Sequence, residues 1–127
     1  EIERMRGDCV RATGGETVEE PGRLFDLVVS CEGAKMVELE IRKGVFVCYA
    51  DGMLTLDMGD EGYGRDQRSI ELSELRDLRV LSDTTMVEIF ANGGEAALTS
   101  RTYSPAVPAM ELHAEGAASM NFYRLVH

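Results

Sequence analysis

Carboxylates are the commonest side chains in this sequence that could do chemistry, so a pair acting on a glycosidic bond is weighed first. Such a pair needs two carboxyl groups facing each other across a sugar, one of them kept protonated by burial. Asp57, Asp60, Asp83 and Glu88 are the candidates. The three aspartates stand among Gly and Thr at the ends of apolar runs, where Asp ordinarily caps turns by bonding backbone amides. Glu88 lies within a run, between Met86 and Phe90, a setting that suits a structural ion pair or a domain-boundary contact better than an acid catalyst. No catalytic residue is assigned on this basis. His113 follows Leu112 and His127 is the last residue, and neither accompanies a Ser or Cys nucleophile in a recognisable elbow. The stretch Asp57-Met58-Gly59-Asp60-Glu61-Gly62 lacks the ligand spacing and terminal Glu of a calcium loop, and reads as a solvated turn. Cys9, Cys31 and Cys48 form no CxxC and have no neighbouring His. No metal and no cofactor are therefore expected.

Binding chemistry is similarly sparse. Arg65, Arg68, Arg76, Arg79 and Arg101 could hold a phosphate or a carboxylate. The chain carries 13 Lys and Arg against 23 Asp and Glu, a net charge of −10, so pairing with the acidic excess is their ordinary role. The same charge repels phosphate backbones and anionic lipid, so neither nucleic acid nor a membrane surface is expected as a partner. There is no Trp. Stacking on a sugar ring would fall to tyrosines, and Tyr49, Tyr63 and Tyr103 are the carbohydrate-contact candidates, with Tyr123 behind them. Six of the seven methionines, Met36, Met53, Met58, Met86, Met110 and Met120, read as fillers of core and edge gaps. Cys31 and Cys48 sit in apolar runs, as small buried hydrophobes do. An odd, sparse set of cysteines suits a reducing compartment, so a cytoplasmic location is expected.

These residues need a scaffold, and 127 residues suffice for one domain. A hydrophobic fraction of 44% argues against disorder. The longest apolar runs, such as Val45 to Ala50, are far too short to cross a bilayer as a helix. The chain begins at Glu1 with no signal-peptide pattern, so it is expected to be a piece of something longer. Residues 1–6, EIERMR, read as a helical turn ended by Gly7, and 11–22 as a loop. We expect 1–10 to be a linker remnant and 11–127 the folded domain.

Beyond the loop, short runs rich in β-branched and aromatic residues recur every few positions between Gly, Asp and Asn, the pattern of an all-β sandwich or barrel. Phe25, Leu27, Val29 and Cys31 share one strand face. In Met36 to Arg42, Val37, Leu39 and Ile41 point in while Glu38, Glu40 and Arg42 point out. Val45 to Ala50 is apolar on both faces and is placed centrally. Met86 to Ala91 and Ala96 to Tyr103 form a hairpin around Asn92-Gly93-Gly94. A type I′ turn there pairs Ala91 with Gly94, Ile89 with Ala96 and Val87 with Leu98, and a bulge at Gly94 slips that register by one. Pro105 and Pro108 exclude the segment SPAVP from a central strand. The fold expected is all-β: a two-sheet antiparallel β-sandwich, concanavalin-like, of about ten strands.

The stretch from Leu78 to Tyr103, LRVLSDTTMVEIFANGGEAALTSRTY, resembles the C-terminal domain of glycoside hydrolase family 32, the invertases, sucrose-6-phosphate hydrolases and fructanases. These domains carry a pattern L-R-x-x-x-D-x-S-x-V-E-x-F-x-N-x-G-E-x-x-x-T-x-R-x-Y-P. Asp83, Val87, Glu88, Phe90, Asn92, Gly94, Glu95, Thr99, Arg101 and Tyr103 fall on it. Leu54, Leu56, Asp57, Arg68 and Leu72 are similar to the preceding strands, and EIERMR to the segment that leaves the catalytic domain. Thr85 stands where the family often has Ser, and Ser104 intervenes before Pro105. In the family, catalysis belongs to an N-terminal five-bladed propeller, with its nucleophile in an N-D-P-N-G type motif, a stabilising Asp in R-D-P and an acid Glu in E-C. None of these occurs here, and Cys31-Glu32 has the order reversed. The resemblance thus implies a non-catalytic module of a β-fructosidase whose partner is a propeller in the same parent chain. A fructoside-binding module and an oligomerisation domain are the alternatives. For the docking face, the outward side of the hairpin is the candidate, with Met86, Glu88, Phe90 and Arg101 as interface residues. The competing arrangement turns Met86 and Phe90 into the core and Val87 and Ile89 outward.

Overall fold

The computed structural model describes residues 6–13 (backbone only), 17–58 and 67–125. The expected helical turn at 1–6, apart from Arg6, lies outside the described residues, as do Asp60, Glu61, Tyr63, Arg65 and His127. The described chain is two antiparallel sheets packed face to face. One has six strands: β1 (Arg6–Thr13), β3 (Phe25–Ser30), β8 (Asp77–Ser82), β9 (Met86–Ala91), β10 (Ala96–Arg101) and β13 (Ser119–Leu125), in the order β1-β13-β3-β8-β9-β10. The other has five: β4 (Met36–Arg42), β5 (Val45–Ala50), β6 (Met53–Asp57), β7 (Gln67–Glu71) and β12 (His113–Glu115), in the order β12-β4-β5-β6-β7. Two three-residue strands, β2 (Thr17–Glu19) and β11 (Ala109–Glu111), form a small ribbon of their own. Strand β1 pairs with β13, so the sheet already includes residues 6–10 of the stretch expected as a linker. The region 11–22, expected as a loop, contributes the end of β1 and all of β2.

Period-two alternation builds the core. Phe25, Leu27 and Val29 on β3, Leu78 and Val80 on β8, Val87 and Ile89 on β9, and Phe122 on β13 face Val37, Leu39 and Ile41 on β4, Val47 on β5, and Leu54 and Leu56 on β6, all of them buried. Phe25 and Phe122 meet at the centre with their ring centroids 5.3 Å apart. Strand β5 is the middle of its sheet, as its two-sided apolar pattern indicates.

Two departures from simple alternation shape the molecule. Leu39 pairs with Val47 and Glu40 with Phe46, but Arg42 pairs with Val45, so Ile41 is the extra residue of a β-bulge. The bulge turns both Ile41 and Arg42 inward, and both are fully buried. The outward Arg42 read from strict alternation is thereby corrected. The second departure is the hairpin, where Ala91 pairs with Ala96 and Ile89 with Leu98. The connection is a four-residue loop, in neither register read from Asn92-Gly93-Gly94. Asn92, Gly93 and Gly94 have φ of 54°, 70° and 97°, three consecutive left-handed residues that Asn and Gly tolerate. The buried Asn92 side chain explains the longer loop. Its Oδ1 accepts from the amide of Arg76 at 2.7 Å, and its Nδ2 donates to the carbonyl of Glu74 at 3.0 Å. The loop is thereby docked onto the segment that leads into β8.

Candidate functional site

Both outer faces mix polar and apolar side chains. On the five-stranded sheet, Glu38, Glu40, Cys48, Thr55, Asp57, Gln67 and Ser69 satisfy one another or meet solvent. Thr55 and Ser69 share a hydrogen bond at 3.0 Å, Gln67 donates to Asp57 at 3.3 Å, Glu40 accepts from the Gly44 amide at 2.9 Å, and the Cys48 thiol points at Glu38 Oε2 at 3.8 Å. Burial, reinforced by Glu38, pushes the Cys48 thiol up to about 11. Met36, Phe46 and Met53 share this outward side, the first two half-buried and Met53 36% exposed, so the face mixes acidic, polar and apolar groups.

The outer face of the six-stranded sheet carries apolar side chains as well. Val28 on β3, Leu81 on β8, and Met86 and Phe90 on β9 are half-buried there, and they alternate with the fully buried Val29, Val80, Val87 and Ile89 on the core side. This excludes the arrangement with Val87 and Ile89 outward. A hollow of about 550 Å³ runs over this face, lined by Val28, Arg79, Leu81 and Phe90, with Asp77 and Gly93 at one end. Beside it, Asp26 is fully buried although it sits on the outward side of β3. Arg79 covers it with a two-pronged contact, Nε to Oδ1 at 3.0 Å and Nη2 to Oδ2 at 2.9 Å. A carboxylate loses hydration at real cost, and the fork of a guanidinium is the geometry that offsets it. Arg79 itself remains about one-third exposed at 32%, so the pair presents its cationic side to the hollow. Glu88 is half-buried on the same face and Arg101 is exposed at the end of β10. The structure thus brings Met86, Glu88 and Phe90 to one face and adds the Asp26–Arg79 pair, which the sequence reading did not single out. The signal was available: Asp26 is a lone charge between Phe25 and Leu27 in an otherwise apolar strand.

Arg42 is the other residue missed. Its guanidinium is wholly buried and reaches from β4 to the β8–β9 turn and the segment after β10. Nε and Nη2 donate to the Ser104 carbonyl at 2.9 and 2.7 Å, Nη1 to the Asp83 carbonyl at 2.7 Å and to Ser82 Oγ at 3.3 Å, and Nη2 also to the Thr84 carbonyl at 3.0 Å. Burial first, and then the charge of Arg23, lower its pKa, with Asp83 opposing. The arrangement joins the two sheets at one end of the sandwich.

Of the carboxylates weighed for catalysis, Asp57, Asp83 and Glu88 are among the described residues. Asp57 lies on the outer face of the five-stranded sheet and Glu88 on the outer face of the six-stranded one, with the core between them. Asp83 caps the β8–β9 turn, where its Oδ1 accepts from the Thr84 amide at 2.6 Å. His113 is exposed and contacts Glu111 at 2.7 Å. Among the candidate sugar platforms, Tyr49 is a correction: it is 5% exposed, part of the core, and its hydroxyl donates to the Leu72 carbonyl at 2.8 Å, so neither ring face is presented. Tyr103, at 53%, is exposed. Among the Arg set, Arg76 pairs with Glu74 and with Glu95, the latter at 3.4 Å, beneath the Asn92 loop. Among the described residues, no group of three or more His, Cys, Asp or Glu is placed to hold a metal ion. No helix among them is long and apolar enough to cross a membrane.

Two antiparallel sheets packed face to face define a β-sandwich. The chain matches the family "Glycosyl hydrolases family 32 C terminal" over residues 34–125, and it belongs to that family. Its fold is shared with sucrose-6-phosphate hydrolase from Lactobacillus gasseri (TM-score 0.80, 17% identity), where the match covers 98% of this chain and 29% of that one. It is also shared with a glycoside hydrolase family 32 structure from Bifidobacterium adolescentis (TM-score 0.78, 17% identity, 98% and 22%) and with exo-inulinase from Aspergillus awamori (TM-score 0.73, 16% identity, 95% and 29%). The chain therefore spans less than a third of the length of these similar structures. No curated protein matches it by sequence.

Proposed function

We propose that this chain is the non-catalytic sandwich of a β-fructosidase, and that it docks onto and stabilises a catalytic propeller of the same parent protein. The observation that carries this is the family match over residues 34–125, combined with coverage of under a third of the similar enzymes, which leaves most of their length for the catalytic part. The docking face is the outer side of the six-stranded sheet, with Met86, Glu88, Phe90 and Arg101 in contact. Half-buried apolar groups rimmed by an arginine and a carboxylate are the composition of a non-obligate interface. The opposite outer face intersperses Met36, Phe46 and Met53 with hydroxyls and carboxylates, several of them paired with one another. The test compares the isolated chain with the parent-length protein. Phe90→Ser should leave the melting of the isolated chain nearly unchanged while lowering the melting temperature of the parent-length enzyme. Equal destabilisation of both would place Phe90 in the fold itself and remove the face from consideration.

A further inference from the structure

The loop ahead of β3 and the end of β13 meet at a second hollow of about 320 Å³, lined by Pro21, Gly22, Arg23, Leu24, Thr84 and Arg124. Two arginines, Arg23 and Arg124, line it. Arg124 lies over the Phe122 ring, 5.7 Å from its centroid, and donates through Nη2 to the Glu20 carbonyl at 2.6 Å. This fixes its position and, among the described residues, leaves most of its five N–H groups without a hydrogen-bond partner. Arg23 is exposed, and its guanidinium makes no hydrogen bond or ion pair with the described residues. Arg42 lies behind the wall, bonded to the Thr84 carbonyl, and every acceptor it has is a carbonyl or hydroxyl oxygen. Among the described residues its charge is thus met by dipoles and by no hydrogen-bonded carboxylate. Burial first, and then the charge of Arg23, lower the Arg42 pKa.

Of the nearby anions, Asp83 favours the charged form of Arg42. Asp83 is engaged with the Thr84 amide, and Glu19 and Glu20 are exposed on the approaching loop. That loop is held in an uncommon conformation. Glu20 has φ of 48° and Gly22 of 76°, and the Glu20 amide is tied to the Pro108 carbonyl at 2.9 Å. A non-glycine residue in the left-handed region persists only where its surroundings enforce it. Here it brings the Glu20 carbonyl to Arg124 and places Arg23 across the hollow. On a chain of net charge −10, this is a concentrated positive pole.

We propose that this hollow is an oxyanion site that takes a phosphate or carboxylate group between Arg23 and Arg124. The planar fork of a guanidinium matches the oxygen spacing of either group, and the site is half-organised before the ligand arrives. The group is carried by a small molecule or by a carboxylate side chain from elsewhere in a longer parent. The inference does not depend on the docking face proposed above.

The test is an amide-resolved NMR titration of the full chain at constant ionic strength, with inorganic phosphate and acetate in separate arms and chloride as the blank. The amides of Arg23, Leu24, Thr84 and Leu125 should shift saturably with at least one of the two anions, and the arm that responds identifies the group. Arg23→Glu should weaken that response about tenfold or more, as expected for the loss of one charge-assisted partner. Arg23→Glu removes no side-chain hydrogen bond or ion pair among the described residues, so it remains informative if Arg124→Gln unfolds the chain. The proposal is overturned if neither anion gives a saturable shift, or if Arg23→Glu responds as the parent sequence does.

Discussion

The Arg42 guanidinium grips the carbonyl oxygen of Ser104 with two N–H groups, Nε at 2.9 Å and Nη2 at 2.7 Å. This contact crosses 62 residues of chain and fastens β4 of one sheet to the segment that leaves β10 of the other. The remaining N–H groups hold the Asp83 and Thr84 carbonyls, so the β8–β9 turn and the Ser104 segment share one clamp.

Removing the clamp leaves three carbonyl oxygens without their donors. Arg42→Met should destabilise the domain by roughly 3 kcal/mol or more, since each orphaned buried acceptor costs about 1–3 kcal/mol. Arg42→Lys should recover little, because an ammonium cannot span the same acceptors in one plane. Urea denaturation checks this through a lowered midpoint with an unchanged slope.

Asn92 is the corresponding fastening at the other end of β9. Asn92→Ala loses the bonds to the Arg76 amide and the Glu74 carbonyl and places a branched-free but Cβ-bearing residue at φ 54°. A loss of about 2–4 kcal/mol is expected from the two buried groups left unpaired. Asn92→Gly relieves the backbone but not the bonds, so it should fall at nearly the same place. A glycine variant as stable as the parent sequence would show that the side-chain bonds contribute nothing.

On β9, adjacent residues should behave oppositely. Ile89→Ala opens the core and should cost about 2–5 kcal/mol, while Phe90→Ser, on the outer face, should cost the isolated chain little. Thermal melts of the two variants check the assignment of faces.

Burial holds the Cys31 thiol up at about 11, against an ordinary 9.0, with Asp77 adding to the effect. The folded state therefore keeps its proton where the unfolded chain loses it. The stabilising contribution is complete below pH 9 and is lost as pH rises towards about 11. Melting temperature should fall across that window, and Cys31→Ala should flatten the fall. Alkylation of Cys31 at neutral pH should be slow in the folded chain and fast in denaturant.

The sandwich was legible because its strands alternate cleanly: Phe25, Leu27 and Val29, or Val37 and Leu39, declare their face by period alone. What was not legible arose where one residue is added or a side chain acts at a distance. The bulge at Ile41 inverts Arg42, and nothing in Ile41-Arg42-Lys43-Gly44 distinguishes it from a continued strand. The hairpin register depends on Asn92 reaching Glu74 and Arg76, a contact with residues 16 to 18 positions away. Tyr49 reads as a ring available for stacking until the inward direction of β5 is known. The candidate outer face was half visible. Met86, Glu88 and Phe90 share a parity, but their companions Asp26 and Arg79 join them only through pairing of β3, β8 and β9.

The central claim is that this domain serves catalysis located elsewhere in its parent. The most direct measurement is hydrolysis of sucrose, sucrose 6-phosphate and inulin by the purified chain. The account predicts no turnover with any of the three, because Asp57 and Glu88 are separated by the core and Asp83 is committed to a turn. Turnover that disappears on Asp83→Asn or Glu88→Gln would contradict it.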